Sequence, residues 1–235
     1  KYYKIMRWDY KGSPGGGEAL KFNSDIWTYD DYLELPSDGK TYQIVGGDLY
    51  VVPAPTTYHQ KVSINIASII WNYVRKTDWG EVYDAPIDIH FSSTDIVQPD
   101  IVCVSRDRLA IIKENGIFGA PDLVVEILSP STRSMDAKTK KALYERYGVF
   151  EYLLVYPEEK KVESFLLRQG VYRGPKTYLG DEGMETVSIP GLKMDLKEVF
   201  CPRPRPQNIL PGQLRPCPGY TFLPSNRAMK RGKSS

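Results

Sequence analysis

The chain is poor in the residues that many site chemistries require. Among 235 residues there are three cysteines and two histidines. Cys201 and Cys217 are spaced too widely for a CxxC knuckle, and Cys103 lies inside an apolar run, where it reads as a small core residue. No disulfide framework is expected, and a reducing cytoplasm is the expected setting. With only His59 and His90, a histidine-rich zinc or copper centre is not expected either. Any metal would be held mainly by carboxylates, which points to Mg2+ or Mn2+. No apolar stretch reaches the roughly 20 residues of a membrane span, and no signal-peptide pattern opens the chain. Lys1 rather than methionine stands first, which fits a fragment as well as a start at Met6.

A global excess of positive charge is also missing. The net charge is +2, and it is unevenly placed. Residues 201–235 contain seven Lys or Arg and no acid, and residues 1–20 contain four basic and two acidic side chains, which leaves −7 for residues 21–200. The body of the chain carries no general signature of polyanion binding.

The patterning divides the chain into three parts. Residues 1–24, with GSPGGGEA, read as a flexible leader. Residues 25–200 read as one α/β domain, and residues 201–235, rich in proline and arginine, as a disordered basic tail. Thr28 followed by Asp31 resembles a capping box and predicts a short helix to Leu35. YQIVGGDLYVV at 42–52 predicts a hairpin turning at Gly46–Gly47. Apolar residues at Val62, Ile66, Ile69, Ile70, Tyr73 and Val74 predict an amphipathic helix over 58–76. Strands are predicted at 84–90, 98–104 and 122–128, then a helix over 135–147 stopped by Gly148. YLLVY and VESFLL, parted by PEEKK, predict a second hairpin, with weaker strands at 171–173 and 186–189.

Two acids stand out of place. Asp100 lies in QPDIVCV and Glu126 in DLVVEIL, each among β-branched and aliphatic residues. A charge buried on a strand is costly unless it is paired or metal-bound. On neighbouring strands these carboxylates would reach one ion, although each could equally cap a strand end or pair with an arginine. Lys140 follows on the next helix, four residues after Asp136 and four before Tyr144, so the three share a face; a solvated salt bridge is the plainer reading of that spacing. Ser129, Ser131 and Thr132 read first as helix caps and second as phosphate contacts. His59 reads first as a helix-start residue and second as a phosphate contact or a group supporting the cleft. The 17 tyrosines fit sheet packing as well as base stacking.

The segments YQIVGGDLYVVPAP, the following His59, QPDIVCVSRDRLAII, GAPDLVVEILSPST, D-x-x-x-K-x-x-x-Y and GVFEYLLVYPEEKKVE, in that order, resemble the Uma-two family of restriction-endonuclease-like proteins, within the PD-(D/E)xK nuclease superfamily. The resemblance covers about residues 25–200. It implies a restriction-endonuclease-like α+β core, a central mixed β-sheet flanked by helices, with Asp100 and Glu126 as metal ligands and Lys140 as the catalytic lysine. In the superfamily that lysine usually lies two residues after the second acid, where this chain has Leu128; Lys138 and Lys141 are alternatives to Lys140. Pro121–Asp122 is then a decoy at a strand entrance. Two positions depart from the family pattern. Gln43 replaces a usual glutamate, leaving Asp48 as a candidate compensating acid, and Tyr156 stands where an aspartate is common.

The function implied is a Mg2+-dependent (or Mn2+-dependent) DNA endonuclease, expected to be a homodimer because two symmetric sites cut both strands of a duplex. The alternative is a weakened or inactive nucleic-acid-binding relative, motivated by Gln43 and the acidic body. A third reading takes PRPRP as a polyproline ligand in an interaction module.

Overall fold

The computed structural model describes residues 20–22, 26–129 and 135–201, with side chains for 26–129 and 138–201. The expected leader lies outside these residues except for 20–22, and the expected tail except for Cys201; Ser131, Thr132 and the side chain of Asp136 are likewise outside. The chain divides into two units, Lys1–Phe200 and Cys201–Ser235.

Strand β1 (Leu20–Phe22) precedes helix α1 (Tyr29–Leu33). The predicted capping box opens α1: Thr28 N–H donates to Asp31 Oδ2 at 2.9 Å. Strands β2 (Thr41–Val45) and β3 (Asp48–Val52) form the predicted hairpin. Gly46 and Gly47 take φ of 59° and 81°, the pair of left-handed residues that a two-residue hairpin turn requires. Helix α2 (Thr57–Thr77) buries Tyr58, Val62, Ile66, Ile70 and Val74, the stripe set by their spacing.

The predicted strand at 84–90 does not form. Pro86 cannot donate to a ladder, and the chain builds β4 (Gly80–Asp84) and β5 (Ile89–Ser92) on either side of it. Strands β6 (Asp95–Val97) and β7 (Ile101–Ser105) follow, β7 beginning only after Pro99. A 3-10 turn (Arg106–Ile111) leads to β8 (Ile112–Lys113), β9 (Gly116–Phe118) and β10 (Leu123–Ile127). The predicted helix over 135–147 is a π-helical turn, Met135–Lys140, running into α3 (Lys141–Tyr147), with Gly148 at φ 86° ending it. Strands β11 (Glu151–Tyr156) and β12 (Lys161–Arg168) make the second predicted hairpin, and β13 (Val171–Leu179) runs longer than expected. Residues 186–189 are not a strand; they belong to the loop between β14 (Gly183–Glu185) and β15 (Lys193–Asp195), which precedes α4 (Leu196–Val199).

The central sheet is mixed, in the order β13-β12-β11-β10-β7-β4, with β10 and β11 parallel and the other pairs antiparallel. On one face, Ile101, Cys103, Leu123, Val125 and Ile127 pack under α2. On the other, Val102, Val104, Val124 and Leu154 meet α3 and a second, seven-stranded sheet, β1-β3-β2-β6-β5-β9-β8. Cys103 is fully buried, and burial pushes its thiol pKa up, so it is an inert core residue. Cys201 is disulfide-bonded, which corrects the expectation of no disulfide at that position. Among the described residues no helix is long and apolar enough to cross a membrane.

Candidate active site

The strand ladder itself brings the two anomalous acids together. In the antiparallel pair β7–β10, Val125 lies opposite Ile101; one further step of that register sets Glu126 beside Asp100. Strand alternation does the rest. Leu123, Val125 and Ile127 point into the core under α2, so Glu126 emerges on the opposite side, with Val124. The Ile127 N–H donates to Asp100 Oδ2 at 2.7 Å, tying the carboxylate to the neighbouring strand.

Glu126 is only 3% exposed, and Lys140 only 2%. Lys140 Nζ donates to Glu126 Oε1 at 2.9 Å, and Tyr144 Oη donates to the same oxygen at 2.5 Å. Burying a carboxylate is costly, and two donors, one of them charged, offset that cost. Lys140 thus forms a buried ion pair with Glu126, while the side chain of Asp136, its partner in the spacing, lies outside the described residues. Of the three candidate lysines, Lys140 is the one that forms an ion pair with Glu126. It closes the π-helical turn ahead of α3, while Lys138 is exposed and Lys141 Nζ lies 4.1 Å from the centre of the Phe165 ring.

His59 stands at the start of α2 and approaches Asp100. Its N–H donates to Thr56 Oγ1 at 3.2 Å at the start of α2, and its ring Nε2 lies 3.4 Å from Asp100 Oδ1. Gln43, on β2 opposite Tyr50, is 2% exposed, and its Oε1 accepts no hydrogen bond from the described residues. Gln43, His59, Asp100, Glu126, Ser129 and Lys140 all line one cavity of about 260 Å3. Asp48 does not: it pairs with Val45 at the turn end of the hairpin and is not among the lining residues. Asp122 lies at the entrance to β10, accepting from the Ser105 N–H at 2.7 Å and from Arg108 at 3.1 Å.

Two residues at the site were not singled out as site residues in the sequence. Tyr144, which bonds Glu126 without lining the cavity, was visible as sharing a face with Lys140 and as the tyrosine of the D-x-x-x-K-x-x-x-Y spacing. Gln98 gave no signal beyond adjoining Pro99–Asp100, yet it lines the cavity, and its Nε2 donates to Asp88 Oδ1 at 2.6 Å and to Tyr32 Oη at 3.2 Å. Burial, and then the Asp88 charge, push the Tyr32 hydroxyl pKa up, so it stays a neutral donor to Asp88.

The donors available to a cation are two carboxylates, Asp100 and Glu126, and the Gln43 amide oxygen. Among the described residues no group of three or more His, Cys, Asp or Glu side chains is placed to hold a metal. All three donors are hard oxygens, the type that Mg2+ and Mn2+ prefer, and a buried amide oxygen without a partner among the described residues is one that a cation would satisfy.

The fold is nuclease-like. It matches the crystal structure of a putative nuclease belonging to DUF820 from Anabaena variabilis, with a TM-score of 0.62 at 20% identity, covering 74% of this chain and 97% of that one. An uncharacterized protein of Synechocystis sp. is 27% identical over 141 residues, 58% of this chain and 72% of the relative. Residues 29–197 match the Uma2 family, described as "Putative restriction endonuclease", and the chain belongs to that family. The family's description supports a nuclease, and the structural likeness shows the shared fold.

Proposed function

We propose that the protein is a metal-dependent endonuclease that hydrolyses DNA phosphodiesters at the Asp100–Glu126 cavity. The observation that carries this reading is the meeting of two carboxylates, Glu126 on β10 and Asp100 just before β7, in one cavity with a buried lysine bonded to Glu126. Asp100, Glu126 and the Gln43 oxygen would hold Mg2+ or Mn2+. What the bound ion supplies is neutralisation of phosphate charge and an acidified water.

The chain's own groups have separable tasks. Lys140 and Tyr144 fix the Glu126 carboxylate by converging on Oε1. The Ile127 N–H and His59 hold Asp100 from two sides. Lys140 also places a cation in a cavity that receives a phosphate, offsetting charge as it builds on the reacting group. In the hydrolysis, water adds to phosphorus and one P–O ester bond breaks, leaving a phosphate monoester on one end and a hydroxyl on the other.

The test is conversion of supercoiled plasmid with Mg2+, Mn2+ or EDTA, by the parent and by Glu126→Ala. Cutting is expected with either metal, absent in EDTA and absent in the variant while its circular dichroism is unchanged. A homodimer with two sites would linearise plasmid directly, whereas a single site would accumulate nicked circles first. If Glu126→Ala and Asp100→Ala both cut as well as the parent, the site assignment is wrong.

Gln43 favours a second reading, in which the chain binds nucleic acid and turns it over weakly or not at all. A neutral amide adds no charge to the cation site where the family resemblance implies a carboxylate. DNA binding without cutting in any divalent metal is the outcome that would select it.

A further inference from the structure

The central sheet carries a second concavity, larger than the first at about 660 Å3 and lined by Ser164, Arg168, Arg173, Lys176 and Tyr178 together with part of the loop after β14. It lies on the α2 side of the sheet, away from the side on which Glu126 emerges. Tyr178 and Val162 belong to the core on that side, and the even-numbered residues of β12, including Ser164 and Arg168, share its face.

Strand β13 is built to aim its cations there. Tyr172 packs into the core on one face and Tyr178 into the core on the other, although strict alternation would keep them on the same side. The register with β12 shifts between Ser164 and Leu166, opposite Gly174. Gly174 has φ 120°, and a Cβ there would lie 2.8 Å from the Ser164 carbonyl oxygen, so only glycine lets β13 cross so closely. The irregularity reverses the facing of the strand, as bulges do. Arg173 before it and Lys176 after it, an odd spacing that a regular strand would send to opposite faces, therefore line the same groove.

The opposite wall is fixed in place. Glu151, fully buried on β11, accepts from Ser164 Oγ at 3.0 Å, from the Val187 and Ser188 N–H groups at 2.9 and 2.8 Å, and from Ser188 Oγ at 2.7 Å. The loop after β14 is thus tied to the sheet floor, and the groove is pre-formed.

Charge selects the occupant. Arg168, Arg173 and Lys176 form no ion pair with a carboxylate among the described residues, whereas Glu185, the acid on the rim, sits 3.9 Å from Lys193. Arg168 lies over the Phe150 ring and Lys176 over the Tyr178 ring, at 5.5 and 4.8 Å from the ring centres, which limits their wandering. Three such cations concentrated on a body that carries −7 over residues 21–200 make a local site for a polyanion. Arg173 pairs with Leu166 and Lys176 with Ser164, so across the bulge they are separated by two residues of β12, about 7 Å along the strand. That is about twice the axial spacing of phosphates on one strand of a duplex, roughly 3.4 Å. The cations are therefore spread along a track, as a phosphate backbone requires.

We propose that this groove is a sequence-independent binding tract for the DNA phosphate backbone, separate from the Asp100–Glu126 cavity. The choice of DNA as the polyanion rests on the nuclease reading above. The groove supplies affinity through counterion release, with no role in the chemical step.

The experiment measures binding of a labelled random-sequence DNA duplex in EDTA, so that no cutting intervenes, across a salt series. The parent is compared with Arg168→Ala/Arg173→Ala/Lys176→Ala and with Arg168→Lys/Arg173→Lys. The alanine variant should lose about tenfold in affinity at low salt, and its log–log salt slope should flatten by roughly 0.9 for each phosphate no longer neutralised. The lysine variant should keep the parent's slope. All three residues are exposed; should the triple variant fail to fold, the three single variants carry the same comparison. Equal affinity and slope in parent and alanine variant overturn the proposal. So does loss of polyglutamate binding with DNA binding intact, which would give the groove to an acidic polypeptide. The two readings fail separately. A parent that cuts nothing but binds DNA through these cations sinks the nuclease alone, while a triple variant that binds and cuts like the parent sinks the groove alone.

Discussion

Gln43 buries an amide oxygen that accepts no hydrogen bond from the described residues, in one cavity with two carboxylates. An unmet buried acceptor costs about 1–3 kcal/mol, and a protein keeps such a group where something else satisfies it. A bound cation is that partner in the proposed site. Gln43→Glu tests this with opposite signs in two conditions. Without metal, a third carboxylate beside Asp100 and Glu126 adds like-charge repulsion and should lower the melting temperature in EDTA. With Mn2+, added ligand charge should tighten binding by on the order of tenfold and raise the melting temperature above the metal-loaded parent. Calorimetric titration of the parent and Gln43→Glu with Mn2+ reads the affinity directly. Equal affinities would remove Gln43 from the cation site.

At the scale of elements, β4 depends on a residue with no side chain. A Cβ on Gly80 would sit 2.1 Å from the Val104 carbonyl oxygen and 2.9 Å from the Ser105 Cα, both backbone atoms of β7. Gly80→Ala must therefore pry β4 from β7, and overpacking of this kind costs about 1–3 kcal/mol. Gly80 pairs with Ser105, at the far end of β7 from Asp100. Urea unfolding should show the destabilisation, while cutting below the unfolding transition stays near the parent's; a variant as stable as the parent would contradict the close approach. What was legible in the sequence follows the same logic of local and non-local determinants. The α2 stripe, the Gly46–Gly47 turn and the Gly148 stop are local, and all are present as predicted. The strand predicted across 84–90 failed because Pro86 outweighs the β-rich residues around it. Strands β6, β8 and β9, of two or three residues, are too short to show a period. The out-of-place acids marked Asp100 and Glu126 as residues needing partners, but their register, the reach of Lys140 from a π-helical turn, and the approach of Gln98 from the Asp88 network are tertiary facts that no window of sequence contains.

At the scale of the whole molecule, charge is segregated along the chain. Residues 21–200 carry −7, and residues 201–235 carry seven Lys or Arg with no acid. An acidic body repels a polyanion at distances up to the Debye length, about 8–10 Å at physiological salt, so DNA has to be held by local cations. The groove cations are one such source. The C-terminal residues are the other, and seven charges there would balance those of the body if they reach phosphate. Deleting residues 202–235 removes all seven. If they act as a basic arm, duplex affinity falls most at low salt and the log–log slope flattens by roughly 0.9 for each phosphate the arm had neutralised, with the deficit shrinking as salt rises. If arm and groove act as independent sites, a combined deletion and groove variant should show approximately additive effects. An unchanged slope on deletion would remove the arm from DNA binding and leave PRPRP to the interaction reading, in which the same deletion abolishes capture by a polyproline-binding domain and leaves the duplex affinity where it was.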